Sequence, residues 1–328
     1  MHGRRNNVKQ KYQKSSILRR QRIAAVFAAV FVIAFVCAAQ QAVDHGFKDV
    51  NGTRLYYETI GEGIPIVVVH GGPGLDHSYL LPQMANLGRG FKLIMYDQRA
   101  MGKSSLDVDT SSMTIDTFVE DLEGIRKAFN LTKMNLLGHS WGGLIAMFYA
   151  TKYPDHLQSL ILSNTTAASS ELRSMGFRTM AQRATNEDSA AQAAIAGSDA
   201  FKKRDPATMT RFLRLLFRGS FHDKRFADSL SLNFDSTYPA RSVLVRFLSR
   251  DPKLRSYDLH PMLDTVRCPT LIIAGADDRI APGTNEQIHE RIRGSELITL
   301  DDCGHFPFIE APRKYFGLIR RFLKKSAQ

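Results

Sequence analysis

The amino-acid sequence predicts an α/β fold, with a mostly parallel central sheet, helices on both faces and a helical cap insertion. Two observations carry this prediction. Short apolar runs alternate with amphipathic stretches along most of the chain, which is the pattern of βαβ units. From residue 167 to residue 260 the alternation stops and the apolar spacing becomes helical, which indicates an insertion between two strands.

The N-terminal residues differ sharply from the rest of the chain. Residues 1–22 carry eight basic side chains and no acidic one. Removing these eight from the 44 basic side chains leaves 36 against 32 acidic ones, a net charge of +4 instead of +12. The basic charge therefore belongs mainly to a targeting segment, and we expect no nucleic-acid partner for the body of the protein.

An apolar run, Ile23–Ala39, follows this basic segment and ends in small residues. That arrangement is typical of a signal peptide cleaved before Gln40. The run also approaches the ~20 residues that span a bilayer, with its basic flank on the cytoplasmic side. We expect residues 1–39 to be a signal peptide or an N-terminal membrane anchor through residues 23–39. The rest of the chain would then be exported (secreted or periplasmic) or held outside the cytoplasm.

The remaining chain is predicted to hold eight strands and several helices. Residues 40–166 and 261–328 would form the core, and residues 167–260 the helical cap. The predicted strands are Phe47–Val50, Arg54–Ile60, Ile64–Val69, Lys92–Tyr96, Met134–Leu137, Leu160–Leu162, Thr270–Ala274 and Glu296–Leu300. The predicted helices include Ile115–Asn130, Leu144–Tyr153, one beginning at Asp205-Pro206, and Pro312–Lys325.

The motif Gly138-His139-Ser140-Trp141-Gly142-Gly143 lies between a predicted strand and a predicted helix. A serine on so sharp a turn has a strained backbone, and glycines two residues to either side avoid collisions there. The helix that follows directs the positive end of its dipole at the site, which favours a developing oxyanion. Ser140 is therefore a candidate nucleophile.

A second glycine-rich turn, His70–Gly74, ends the third predicted strand. A nucleophile on a strand-to-helix turn needs a second backbone N–H donor from a loop of this kind. We predict that the N–H groups of Gly72 and Trp141 form an oxyanion hole, in which each donor is typically worth ~3 kcal/mol of transition-state stabilisation.

A serine nucleophile needs a base, and the base needs a group that orients it. Asp278 follows the seventh predicted strand and His305 follows the eighth, at the strand ends where α/β sheets bind their ligands. The chain order Ser140, Asp278, His305 is the order of this mechanism on α/β sheets. Asp277 competes with Asp278 for the orienting role.

The remaining candidate residues are predicted to have structural roles or no role in the reaction. No histidine pair has metal-ligand spacing, so we expect no metal, and acyl transfer by a serine needs no cofactor. Asp97-Gln98-Arg99 follows the fourth predicted strand and favours a buried ion pair or loop brace over a site role. Cys268 and Cys303 are expected to be buried thiols, since too few cysteines are present for a disulfide scaffold.

Taken together, these residues resemble the prolyl aminopeptidase (proline iminopeptidase) branch of the α/β-hydrolase fold serine hydrolases. The resemblance covers about residues 46–325. Its motifs, in order, are HGGPG at 70–74, DQRAMGKS at 97–104, GHSWGG at 138–143, GADD at 275–278 and GHFPFIEAP at 304–312. It implies the same triad and oxyanion hole as the residues do, and a cap over the active site at 167–260.

The sequence departs from that branch in two places. Ala100 stands where the branch usually has glycine. The cap of prolyl aminopeptidases carries a tryptophan-rich segment with a glutamate that binds the substrate's free amino group, whereas the single tryptophan here lies outside the cap. Glu171, Glu187 and Asp188 are acidic residues of the cap, but no motif selects one of them.

The sequence therefore predicts a serine hydrolase that cleaves a small ester or amide bond through an acyl-enzyme. Its substrate would be a small molecule or a short peptide. An aminopeptidase of the proline iminopeptidase type and a carboxylesterase or lactonase of the same fold both fit. The alternative from another class is a ligand-binding protein that keeps the fold without the chemistry.

Overall fold

The computed structural model describes residues 43–182, 185–278 and 283–326. Eight strands within these residues form one sheet in the order β1-β2-β4-β3-β5-β6-β7-β8. The strands are β1 (Val43–Val50), β2 (Thr53–Ile60), β3 (Ile64–Val69), β4 (Phe91–Tyr96), β5 (Met134–His139), β6 (Leu157–Ser163), β7 (Thr270–Gly275) and β8 (Glu296–Leu300). Only β2 runs against the other seven, so the predicted mostly parallel sheet is confirmed.

Helices connect the strands and cover the sheet. They are α1 (Leu81–Met84), α2 (Ile115–Ala128), α3 (Trp141–Lys152), α4 (Ser170–Gln182), α5 (Asn186–Gly197), α6 (Asp199–Lys202), α7 (Pro206–Arg218), α8 (Tyr238–Val245), α9 (Pro252–Ser256), α10 (Thr284–Arg291), α11 (Pro307–Glu310) and α12 (Pro312–Ser326). Helices α4 to α9 all lie between β6 and β7, and the described residues of this segment add no strand to the sheet. The helical insertion predicted from the apolar spacing is therefore present.

The predicted signal or anchor, residues 1–39, lies outside the described residues. In the part of the chain that is described, none of the helices combines the length and apolarity needed to cross a bilayer.

Local signals in the sequence fix several element boundaries. The Asp205 carboxylate accepts the Thr208 N–H at 2.9 Å, and Pro206 occupies the first turn, so α7 begins where the capping pattern predicts. Asn51 and Gly52 have φ angles of 45° and 75°. Because a two-residue hairpin turn of type I′ needs two positive φ values, this pair joins β1 to β2 as expected.

The core lies on both faces of the sheet because alternate side chains of each strand point to opposite sides. Val67 and Val69 of β3 pack in one apolar cluster with α2 and α3. Ile66 and Val68 pack in the other cluster, beneath α12. A parallel strand covered on both faces must be apolar throughout, which explains why β3 is an unbroken apolar run.

The loop after β4 is a structural brace, as its sequence predicts. Arg99 forms a bidentate ion pair with Asp121 of α2, with nitrogen-to-oxygen distances of 2.7 and 2.9 Å. Both side chains are almost fully buried, and Arg99 also donates to the Asn51 carbonyl. Ala100 has a φ of 62°, a left-handed value that explains the usual preference for glycine at this position.

Candidate active site

The carboxyl ends of the parallel strands place five loops along one edge of the sheet. Gly138 of β5 pairs with Val69 of β3 on one side and with Leu162 of β6 on the other. Gly275 of β7 pairs with Leu300 of β8. The loops that leave these strands therefore start at similar heights, so residues distant in sequence meet there.

Ser140 occupies the sharp turn between β5 and α3. Its φ and ψ angles are 55° and −119°, a backbone conformation that L-residues rarely adopt. The flanking glycines permit it: a Cβ atom on Gly142 would lie 2.1 Å from the Val69 carbonyl oxygen, and one on Gly138 would lie 2.4 Å from the Gly142 carbonyl oxygen. The turn therefore presents the serine hydroxyl at the edge of the sheet.

The structure brings three of the candidate residues into one hydrogen-bonded line. The Ser140 hydroxyl Oγ lies 2.9 Å from Nε2 of His305, and Nδ1 of His305 lies 2.9 and 3.0 Å from the two carboxylate oxygens of Asp278. The Asp278 side chain is 3% exposed. Asp277, the competing acid, contacts His222 at 2.6 Å instead. This is the geometry in which an imidazole can take the serine proton while a buried carboxylate holds its tautomer.

Gly72 and Trp141 line the same cavity as Ser140. Trp141 is the first residue of α3, so its backbone N–H has no acceptor within the helix. Its indole N–H donates to Gln98 Oε1 at 2.9 Å, and the Gln98 amide donates to the His70 carbonyl at 2.7 Å. Gln98 thus ties the turn of Ser140 to the loop that contains Gly72.

The cavity above Ser140 has a volume of about 540 Å³ and is enclosed mainly by cap residues. Its apolar wall includes Leu172, Leu213, Leu216, Phe217, Leu248 and Leu254. Among the described residues that line it, Asp278 is the only acid, and the stretches outside the described ranges contain no Asp or Glu. Asp278 already accepts from His305, so the lining offers no second carboxylate to a substrate.

The protein-family model described as alpha/beta hydrolase fold matches residues 64–312, which is more than half of the chain. The chain belongs to the α/β-hydrolase fold family. The proline iminopeptidase of Lactobacillus helveticus is 31% identical over 300 residues, covering 83% of this chain and 95% of that protein. With these relatives and this fold, the protein is a serine hydrolase, and its similarity to the proline iminopeptidase branch is confirmed.

Solved structures share the fold of this hydrolase. The proline iminopeptidase of Mycobacterium smegmatis superposes with a TM-score of 0.65 at 21% identity, covering 86% of this chain and 98% of that one. A thermophilic esterase from Thermogutta terrifontis superposes with a TM-score of 0.60 at 26% identity, covering 88% of this chain and all of that one.

Two histidines that flank the site have structural roles in the hydrolase. His139 Nε2 lies 2.9 Å from the His305 carbonyl oxygen, and its Nδ1 lies 2.6 Å from the Tyr79 hydroxyl. Burial, helped by the nearby His305, lowers the pKa of His139 to about 3. The neutral ring therefore donates from Nε2 and accepts at Nδ1. His70 is fully buried and accepts the Gln98 N–H at Nε2.

Sequence reasoning missed two residues that support the triad. Asn164, directly after β6, donates from its amide to Asp278 at 2.6 Å and to the Gly304 carbonyl at 3.0 Å. The Glu310 carboxylate accepts the backbone N–H groups of Gly304 and His222, at 2.9 and 2.7 Å. The available signal was position: Asn164 is a polar residue at a strand end, and Glu310 belongs to the GHFPFIEAP motif.

The two described cysteines of the hydrolase are buried and reduced. Burial raises the pKa of the Cys268 thiol to about 11 and that of Cys303 to about 12. A thiol that stays protonated at neutral pH is a poor nucleophile, so Cys303 does not compete with Ser140 despite its proximity to His305.

Proposed function

We propose that the protein hydrolyses carboxylic esters, including cyclic ones, with Ser140 as the nucleophile. The observation that carries this proposal is the Ser140–His305–Asp278 line at the floor of an apolar cavity that offers a substrate no second acid. An apolar wall suits the hydrocarbon chain of the acyl or alcohol part of an ester.

In the proposed reaction, His305 removes the Ser140 proton while the hydroxyl oxygen attacks the substrate carbonyl carbon. Asp278 holds Nδ1–H of His305 and stabilises the imidazolium that forms. The backbone N–H groups of Gly72 and Trp141 stabilise the oxyanion of the tetrahedral intermediate. His305 then protonates the leaving alcohol, and water releases the acyl group from Ser140 by the same steps in reverse order.

Ester cleavage is favoured over aminopeptidase activity by the charge of the cavity. An aminopeptidase must bind the protonated amino group of its substrate, and burying an ammonium without a carboxylate partner is costly. The similarity to a Thermogutta terrifontis esterase, at 26% identity, supports the same choice.

Proline iminopeptidase activity is the second candidate, since the 31% identical relative carries that name. A second cavity, of about 570 Å³, has four lining residues in common with the cavity above Ser140: Pro73, Gly74, Tyr238 and Val245. Its lining includes the carboxylates of Asp76 and Asp235. If the protein is a proline iminopeptidase, one of these two aspartates would bind the substrate's amino group.

A substrate panel separates the two candidates. We expect p-nitrophenyl esters of aliphatic acids to be hydrolysed and proline β-naphthylamide to remain intact. Cleavage of the naphthylamide, reduced in Asp76→Asn, would select the aminopeptidase instead. A fluorophosphonate probe tests the third possibility, a ligand-binding protein without catalytic activity. If the protein only binds a ligand, the probe leaves the folded wild type unlabelled. If it is the proposed enzyme, the probe labels the wild type and does not label Ser140→Ala.

We further propose that this reaction takes place outside the cytoplasm. Support comes from the eight basic residues of 1–22 and the apolar run of 23–39, which together suit a signal peptide or a single membrane anchor.

A further inference from the structure

We propose that Arg173 and Arg255 form an anion-binding subsite in the cavity above Ser140, and that this subsite binds a carboxylate carried by the substrate. The inference rests on the proposed ester hydrolysis and names the class of ester, one with an apolar chain and a free carboxylate. Both arginines line the same cavity as Ser140 and His305.

Two helices of the cap carry these arginines. Arg173 lies on α4, and its Nη2 donates to the Leu254 carbonyl oxygen on α9 at 2.7 Å. Arg255 directly follows Leu254. The guanidinium of Arg173 also lies over the Tyr257 ring, with 5.3 Å between its central carbon and the ring centroid. Arg173 is therefore anchored to the backbone of the residue that precedes Arg255.

Neither arginine has an acidic partner. Within residues 43–182, 185–278 and 283–326, no carboxylate forms an ion pair with either guanidinium, and Asp278 is occupied by His305. Two other arginines of the cap do have an acidic partner: Arg218 contacts Asp188 at 3.2 Å, and Arg225 contacts Asp223 at 2.6 Å. Among the described residues, the wall of the cavity thus carries two guanidinium groups without a carboxylate partner.

The chemistry of the wall favours a carboxylate. A guanidinium presents parallel N–H donors whose spacing matches the two oxygens of a carboxylate. A carboxylate carries one charge, so its transfer into a leucine-lined cavity costs less desolvation than that of a doubly charged phosphate. The adjoining wall of Leu213, Leu216 and Leu248 suits the methylene chain that would link the carboxylate to the ester.

The test compares charged esters with neutral ones of equal length, using the full chain. One pair is mono-p-nitrophenyl adipate against p-nitrophenyl hexanoate, which places the carboxylate on the acyl side. The other is 4-(carboxymethyl)phenyl hexanoate against 4-ethylphenyl hexanoate, which places it on the leaving group. We expect kcat/KM to favour the charged ester of at least one pair. Arg173→Gln and Arg255→Gln should each reduce that ratio by about threefold to fivefold, the size of effect seen for partly exposed ion pairs.

Two further variants make the result specific. Arg173→Lys keeps the charge and should retain part of the preference, and Arg250→Gln, an exposed arginine outside the cavity wall, should leave the ratio unchanged. No preference for either charged ester, or a preference that both glutamine variants keep, would overturn the subsite. Fluorophosphonate labelling separates a failure of the proposed function from a failure of the subsite. An unlabelled wild type refutes the proposed hydrolase chemistry, whereas labelling without a preference for the charged esters refutes only the subsite. Labelling of the glutamine variants shows that their active sites remain folded.

Discussion

Asp277 and Asp278 are adjacent in sequence, yet they contact different histidines. Asp278 accepts from His305 and is buried, while Asp277 pairs with the half-exposed His222. Both acids follow β7 in a turn that the Asp278 N–H closes by donating to the Gly275 carbonyl at 3.1 Å, and this turn directs the two side chains to different partners. Two substitutions of the same type can therefore test the role of each acid.

We predict that Asp278→Asn lowers kcat for a p-nitrophenyl ester by roughly 10⁴-fold, because the amide favours the wrong tautomer of His305. Asp277→Asn is the matched control and should lower kcat by less than about tenfold, since loss of an exposed pair has a small effect. Steady-state kinetics of the two purified variants check this. Equal losses in both would contradict the assignment of Asp278.

His77 lies in an unusual electrostatic environment, between two carboxylates. Its Nδ1 lies 2.7 Å from Asp97 and its Nε2 lies 3.4 Å from Glu58. Burial alone would lower its pKa, but the hydrogen bonds to these two carboxylates raise the pKa of His77 to about 10. The folded protein therefore binds this proton more tightly than the unfolded chain, in which the pKa of histidine is about 6.5.

The sign of the resulting pH dependence follows from proton linkage. The stabilisation by His77 is complete below the unfolded pKa of 6.5 and is lost as the pH rises towards the folded pKa of about 10. We predict that the free energy of unfolding in urea falls over this interval and that His77→Gln reduces the slope. His45→Gln, at an exposed histidine, is the control. An unchanged slope in His77→Gln would show that the proton is held elsewhere.

At the scale of elements, the turn between β5 and α3 depends on close backbone packing. Gly142→Ala would force a Cβ to within 2.1 Å of the Val69 carbonyl oxygen. We predict a loss of at least about 3 kcal/mol in the free energy of unfolding, the scale of a severe steric clash. Gly219→Ala has open space around the new Cβ and a φ of −70°, so it should be neutral or stabilise by up to about 1 kcal/mol. Urea unfolding of both variants tests the contrast.

The loop of His305 is held to the cap from two sides. Its own N–H donates to the Ser220 carbonyl at 2.7 Å, and Glu310 accepts N–H groups from both the loop and His222. In Glu310→Gln, the side-chain NH₂ group would face one of those backbone N–H groups. Because both are donors, that hydrogen bond would be lost. The cap therefore helps to position His305.

We predict that Glu310→Gln lowers kcat by up to about 10²-fold with little change in KM, because a small displacement of the base affects the chemical step most. Glu286→Gln, an exposed helical acid, is the control and should match the wild type. If KM rose while kcat stayed constant, Glu310 would act on substrate binding and not on the position of His305.

At the scale of the whole molecule, residues 43–328 form a compact unit on their own. We predict that a chain lacking residues 1–42 folds and retains kcat for esters within about twofold, since a domain with its own core folds alone. The full chain, expressed in cells, should appear in the membrane or exported fraction, and N-terminal sequencing would show whether cleavage occurs before Gln40. Retention of the full chain in the cytosol would refute the proposed export.

The sequence located the strands well where they are buried on both faces, and less well elsewhere. β6 runs from Leu157 to Ser163, longer than the predicted Leu160–Leu162, because buried Ser159 satisfies its hydroxyl by donating to Asn135 at 2.7 Å. β1 begins at Val43 and not at Phe47. At the edge of the sheet its residues are largely exposed, so pairing with β2 extends it without any apolar pattern.

The sequence by itself determined the fold class, the turn that presents Ser140, and the strand-end positions of His305 and of the aspartate pair, because each follows a strand or lies in a glycine pattern that backbone geometry requires. Only the tertiary structure decided which aspartate meets His305, which residues support the line, and which charges face the cavity. These depend on contacts between segments far apart in the chain, such as Asn164 with Asp278 or Arg173 with Leu254. Local sequence patterns contain no information about such long-range contacts, because these contacts depend on the packing of the complete chain.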